Sequence, residues 1–195
     1  MRVVVAMTGA SGAPIGLKVV ELLRDRKDVE IHLVLSRAAE RTLAHEVGPD
    51  AVAAARALAH VSHDIDDIGA SIASGSFGSA GMLVVPCSMH SLAAIATGIA
   101  DNLIVRAADV HLKERRRLVL MARETPLHLG HLRNMVAVTE MGAFVMPPAP
   151  AFYNRPQSVA DIVDHLAARA IDLLGLPGAA LAREWQGEAG VTSPP

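Results

Sequence analysis

The sequence predicts a three-layer α/β fold, a parallel sheet flanked by helices, and three observations predict it. Short, almost wholly apolar runs recur along the 195 residues, helical segments separate them, and the first run leads at once into Thr8-Gly9-Ala10-Ser11-Gly12, a turn of small residues opening a helix. A strand apolar on both sides must be covered on both faces, and central parallel strands are covered in that way. Apolar types make up 51% of the chain and charged types 19%, enough to build one full core and too apolar for intrinsic disorder.

The first strand is Val3–Met7. Pro14 to Arg24 follows as a helix, with proline in its first turn and Ile15, Val19 and Leu22 on one face. Glu30–Leu35 is the second strand, and Arg37–Glu46 and Ala51–Ala59 are helices. Met82–Val85 is the third strand, followed by helices over Ser88–Thr97 and Leu103–Glu114. Arg117–Met121, a helix over His131–Met141 and the strand Ala143–Met146 complete the alternation. The last long helix begins at Ser158, capped with the help of Asp161, and stops before Gly175. Residues 1–175 read as a single domain and 176–195 as a Pro- and Gly-rich C-terminal tail. The arrangement is Rossmann-like, so ligands are expected where strands end and the following turns begin.

Eighteen basic against 20 acidic residues give a formal charge of −2, no field to attract polyanions, so nucleic acid is not an expected partner. A lone Cys87 can form neither an internal disulfide nor a structural zinc site, which fits the cytoplasm. Ile68–Ala100 lacks every charged residue and could span a bilayer by length; its Gly, Ser and central Pro86 argue for a loop, a buried strand and a helix start instead. No membrane association is expected. The nine histidines form no recognisable ligand set, and no metal is expected.

The loop from Thr8 to Gly16 can cradle a phosphate on its backbone N–H groups at a helix start, although the same glycines would serve a plain tight turn. A nicotinamide enzyme of the short-chain dehydrogenase kind would need a Lys four residues after its Tyr; Gln157 stands four after Tyr153, the only tyrosine. Arg123-Glu124 leaves an apolar strand directly, where a charge pair faces a ligand, a crevice or a partner charge. Arg106 and Lys113 share a helix face able to bind an anion, though the basic run around them reads mostly as a solvated helix end. Cys87 reads as a small buried residue rather than a nucleophile.

Taken in order, Thr8-Gly-Ala-Ser-Gly, Ser74-Gly-Ser-Phe77, Pro86-Cys-Ser-Met, Asp101-Asn-Leu, Arg106-Ala-Ala-Asp-Val-x-Leu-Lys-Glu-Arg115, Arg123-Glu-Thr-Pro, His131-Leu-x-Asn-Met and Pro147-Pro-x-Pro-Ala-Phe-Tyr153 resemble the flavin prenyltransferase (UbiX-like) family over nearly the whole chain. The resemblance implies transfer of a dimethylallyl group from dimethylallyl phosphate to N5 and C6 of reduced FMN, without metal. The prenylated FMN would go to a UbiD-type decarboxylase. It implies that Gly9, Ala10, Ser11, Ser36, Ser88, Met89, His90, Ser91 and Arg123 meet FMN. Tyr153, Arg169 and Lys113, with Arg106, would bind the substrate phosphate. Glu124 and Ser11, with Glu46, would move protons, and the π face of Trp185 would stabilise an allylic cation. A large homo-oligomer, a dodecamer in the family, with sites shared between subunits is implied as well.

Two departures bear on the pocket: Ile68 stands where some relatives carry Trp, and His90 occupies a variable position. The Pro-Ala-Ser-Ala-Asn-Thr motif of cysteine-peptide decarboxylases is absent. The alternative reading is an FMN-binding accessory subunit of an aromatic acid decarboxylase without turnover of its own. Only five aromatic residues occur, and four of them, Phe77, Phe152, Tyr153 and Trp185, fall in family-like segments; Phe144 reads as plain core.

Overall fold

Strands without a polar side have to lie between two layers of helices, and the computed structural model, which describes residues 1–178, 180–185 and 187, places them there. The strands are β1 (Arg2–Met7), β2 (Glu30–Leu35), β3 (Val61–His63), β4 (Gly81–Cys87), β5 (Arg117–Ala122) and β6 (Phe144–Val145). The helices are α1 (Ala13–Arg24), α2 (Arg37–Glu46), α3 (Ala51–Leu58), α4 (Met89–Thr97), α5 (Leu103–Lys113), α6 (Leu129–Glu140) and α7 (Val159–Asp172). All strand pairs are parallel, in the order β3-β2-β1-β4-β5-β6. The pleat of β1 sorts its side chains. Val3, Val5 and Met7 pack with the inner faces of α1, α2, α3 and α7, while Val4 and Ala6 join the cluster built on α4 and α5 and closed by Val138 of α6.

Three strand and ring expectations are corrected. β3 was not expected: Val61-Ser-His is short and half polar, and it exists because its backbone pairs with β2, His32 opposite Val61 and Val34 opposite His63. Phe144 is no core residue. It lies on a two-residue edge strand, over a third exposed, with the Arg117 guanidinium 5.6 Å from its ring. Phe77 is taken up by structure rather than by an open pocket; its ring meets His32 edge-on at 5.0 Å and carries the Arg2 guanidinium at 4.5 Å.

The last helix starts where Ser158 and Asp161 predict, while α6 starts two residues before the expected His131, capped by His128. Ser36, Ser88 and Ser158 are N-caps of α2, α4 and α7, and Ser158 with Asp161 makes a full capping box. Ile68–Ala100 resolves into an exposed loop, a short turn at Ser71–Ala73, the wholly buried β4, and α4. No helix among the described residues is long and apolar enough to cross a membrane.

Candidate functional site

The strand order reverses between β1 and β4. β1 crosses through α1 to β2 on one side, and β4 lies on the other, so the turns after β1 and β4 border the crevice at which ligands bind in such sheets. Thr8 ties these turns together. Its N–H and Oγ1 both donate to the Pro86 carbonyl, at 3.1 and 2.9 Å, and Ser88 N–H donates to Thr8 Oγ1 at 2.7 Å. Gly9 lies so near the start of α2 that a Cβ there would stand 2.5 Å from Ala38 Cβ, which forces the glycine.

Three helices therefore begin around one crevice. Ser36 Oγ accepts from Ala39 N–H at 3.0 Å, and Ser88 Oγ accepts from Ser91 N–H at 3.2 Å while donating to Ser91 Oγ at 3.1 Å. α1 has no cap of its own, and Gly12 before it has φ 116°. The cap comes from the end of α2: Glu46 Oε2 accepts from both Gly12 N–H and Ala13 N–H, each at 2.9 Å. The phosphate-cradle expectation is corrected at these two groups, since a carboxylate distant in sequence has taken them. Burial pushes the Glu46 carboxyl up, but hydrogen bonds from Ser11, Gly12 and Ala13 and the nearby Arg123 charge outweigh it and hold the group below its ordinary value. Glu46 is thus an anion at neutral pH, beside the Ser11 hydroxyl.

Two clefts meet at this point. One, of about 810 Å³, is lined by Gly9, Ser11, Arg41, His45 and Glu46 among others. The second, of about 520 Å³, runs from Ser11, His45 and Glu46 past Arg123 and Pro148 to Val159 and Ile162. Both fall in the size range of small-molecule sites. They adjoin one another, since Ser11, His45 and Glu46 line both. His45, which lines both, escaped the sequence reading; its one signal was its place beside Glu46 in the last turn of α2.

The other expected residues divide into two groups. Ser36, Ser88, Met89, His90 and Ser91 lie at the helix starts after β2 and β4, with Ser91 buried and His90 exposed. Arg123 follows β5, its N–H donating to the Cys87 carbonyl at 3.1 Å, and Glu124 beside it accepts from Thr125 N–H at 3.0 Å. Ala10 is buried within the first turn. Tyr153 and Trp185 meet edge-on with centroids 5.3 Å apart, both more than half exposed.

The remaining cations are elsewhere. Lys113 ends α5 just before β5 begins, and Arg169 lies in the last turn of α7, about 15 Å along the helix from Val159. Both are near the amino edge of the sheet, opposite Ser11 and Glu46. Lys113 pairs with Glu114 at 2.5 Å over Gly75, where a Cβ would displace the flexible ends of both side chains. Arg106 pairs with Asp109 at 2.9 Å and donates to the Ala73 carbonyl at 3.2 Å. None of the three lines either cleft, and of the other expected residues only Gly9, Ser11, Glu46 and Arg123 do. Cys87 is fully buried and its thiol is pushed up to about 12 by burial, so it is no nucleophile. Among the described residues, no three His, Cys, Asp or Glu side chains are placed to hold a metal ion.

Comparison with known proteins agrees with this geometry. The family model described as Flavoprotein matches residues 1–171. A probable UbiX-like flavin prenyltransferase of Streptomyces sp. (strain D7) is 57% identical, covering 96% of this chain and 92% of its own. Flavin prenyltransferase UbiX of Neisseria meningitidis serogroup B is 55% identical, covering 96% and 98%. The crystal structure of AnUbiX (PadA1) in complex with FMN and dimethylallyl pyrophosphate superposes with a TM-score of 0.90 at 51% identity, covering 95% of this chain and 97% of that one. The dodecameric FMN-dependent UbiX-like decarboxylase of Escherichia coli O157:H7 does so with a TM-score of 0.90 at 50% identity, covering 96% and 100%. By sequence over nearly its full length and by fold, the chain belongs to the flavoprotein family and, within it, to the UbiX-like flavin prenyltransferases.

Proposed function

We propose that this protein transfers a dimethylallyl group from dimethylallyl phosphate to reduced FMN, making prenylated FMN for a UbiD-type decarboxylase. The observation that carries the reading is the junction of two clefts at Ser11, with the Glu46 anion and Arg123 beside it, in a chain about half identical to named flavin prenyltransferases. Reduced flavin supplies the nucleophilic N5 and C6. Gly9, Ala10, Ser11, Ser36 and the Ser88–Ser91 turn offer small side chains, hydroxyls and backbone N–H groups to it, and Arg123 faces its anionic form.

In this reading Ser11, polarised by ionised Glu46, and Glu124 hold and move protons as the phosphate ester breaks and the new ring closes. Tyr153, Arg169, Lys113 and Arg106 serve the departing phosphate, and Trp185 covers the allylic carbons. Lys113 and Arg169 stand at the far edge of their own sheet, so they reach a cleft only from a neighbouring copy of the chain. A homo-oligomer is accordingly part of the proposal. It is supported by the dodecameric relative and by α6, which leaves Leu129, Leu132 and Val136 exposed on one side. Residues 1–175 would act as the flavoprotein unit, with 176–195 as the tail that brings Trp185. A cytoplasmic setting suits the free thiol.

The relatives named as transferases favour turnover over the accessory-subunit reading, because a passive flavin carrier has no use for a second phosphate site. Anaerobic incubation with reduced FMN and dimethylallyl phosphate, followed by mass spectrometry of the flavin, is expected to show a gain of one prenyl unit. An unmodified flavin alongside an active control enzyme would refute the reading.

A further inference from the structure

Asp172 is the last residue of α7, where the helix presents its negative end and a carboxylate is poorly placed. Both of its oxygens are nonetheless engaged. Leu181 N–H donates to Oδ1 at 2.8 Å and Ala182 N–H donates to Oδ2 at 3.0 Å. These donors come nine and ten residues later, in a segment without helix or strand, so the carboxylate ties the tail back to the helix it has just left. The beginning of the tail is held separately, by Arg117 Nη1 donating to the Leu173 carbonyl at 3.0 Å and Arg26 Nη2 to the Pro177 carbonyl at 2.7 Å.

Three residues beyond Ala182 the chain reaches Trp185, whose ring meets Tyr153 edge-on at 73°. The indole is still 54% exposed and Tyr153 is 55% exposed, so this ring contact buries too little surface to hold the tail unaided. Between the two fastenings Arg183 closes over a half-enclosed space of about 190 Å³ shared with Asn154, Asp161 and His165. Among the described residues, the Asp172 carboxylate is the polar fastening nearest the indole in the chain.

We infer that Asp172 is a positioning residue for prenyl transfer: its carboxylate latches the tail backbone at Leu181 and Ala182, and so sets Trp185 beside Tyr153. The effect on rate rests on the prenyl-transfer reading above; the latch itself does not.

Trp185 is the only tryptophan of the chain, so its emission reports the tail alone. In the flavin-free protein, Asp172→Asn is expected to shift that emission to the red and to raise its quenching by acrylamide. Leu181→Pro removes one donor from the tail without touching α7 and is expected to do the same. The double variant should fall short of the sum of the two single effects, because both weaken the same two-bond contact. In turnover, kcat/KM for dimethylallyl phosphate is expected to fall roughly tenfold, while the Kd for FMN stays unchanged. Quenching identical to the unsubstituted protein in both variants would overturn the latch. Altered quenching with normal kcat/KM would overturn the positioning role, and an equal loss of FMN affinity would overturn it by marking general damage to the fold. An unsubstituted protein that transfers no prenyl group would remove the positioning role with the reaction itself, and the quenching arm would still decide the latch.

Discussion

Glu46 shows how much a single side chain can be asked to do. It closes the open end of α1, since Gly12 and Ala13 have no other cap, and it stays ionised next to Ser11. Glu46→Gln keeps the shape but gives up the charge, so we expect a loss of roughly 1–2 kcal/mol in urea denaturation together with a fall in prenyl transfer. The pH sign follows from the direction of its shift. A carboxyl held below its ordinary value contributes stability that is complete above the unfolded pKa and is lost as pH falls through the folded one, so this contribution starts to fade near the ordinary Glu value of about 4.3 and goes on fading as the pH falls further. A variant whose denaturation midpoint at pH 7 matched the parent would refute the capping role. The sequence resemblance marks Glu46 as a site residue. That it would cap α1 was not legible, because nothing near Gly12 in the chain points to a residue 34 positions away.

At the scale of elements, the outer strands β2 and β3 are joined by side chains as well as backbone. The His32 ring lies under Phe77, its Nε2 against Glu30 Oε1 at 3.1 Å and its Nδ1 against His63 Nε2 at 2.9 Å. With His32 donating from Nε2 to the carboxylate, Nδ1 accepts from His63, and an added proton would set N–H against N–H. Burial lowers His32 against the opposing pull of Glu30, with Arg2 and His60 adding to the lowering. Burial, then His32, lowers His63 despite Asp67. Burial also lowers His111, whose Nδ1 donates to the Ala107 carbonyl at 2.7 Å. In each case the unfolded chain takes up a proton before the folded one, so stability falls as pH drops below about 6.5 toward the lower folded values. Thermal or urea midpoints are expected to decrease between pH 7.5 and 5.5, with a shallower decrease in His63→Gln. A pH-independent midpoint over that range would refute the coupling. β3 escaped the sequence reading for a related reason: three residues with one apolar side chain have no periodicity, and only the neighbouring strand makes them a strand.

For the molecule as a whole, the separation of Lys113 and Arg169 from Ser11 sets the main constraint. The proposed site, which uses all of them, calls for more than one chain, and the exposed apolar residues of α6 are the surface proposed for association. Val136→Glu and Leu132→Glu, both at exposed positions, are expected to leave the monomer folded by circular dichroism and to reduce its size in light scattering. Prenyl transfer should fall in parallel with assembly. A charged variant that remained fully assembled and active would show that α6 is not the contact.

What the sequence determined by itself was whatever short-range pattern encodes. Apolar runs without a polar side demanded a parallel sheet between helices, Ser158 with Asp161 marked the start of the last helix, and the ordered motifs named a family. These signals survive in a linear reading because hydrogen-bonding and burial periodicities act over a few residues. Tertiary structure alone decided which motif residues stand together. Crossovers between parallel strands carry the chain from one sheet edge to the other, so Glu46 meets Gly12, Phe77 meets His32, and Lys113 is parted from Ser11. Those pairings follow from strand order and helix length, which no local pattern records.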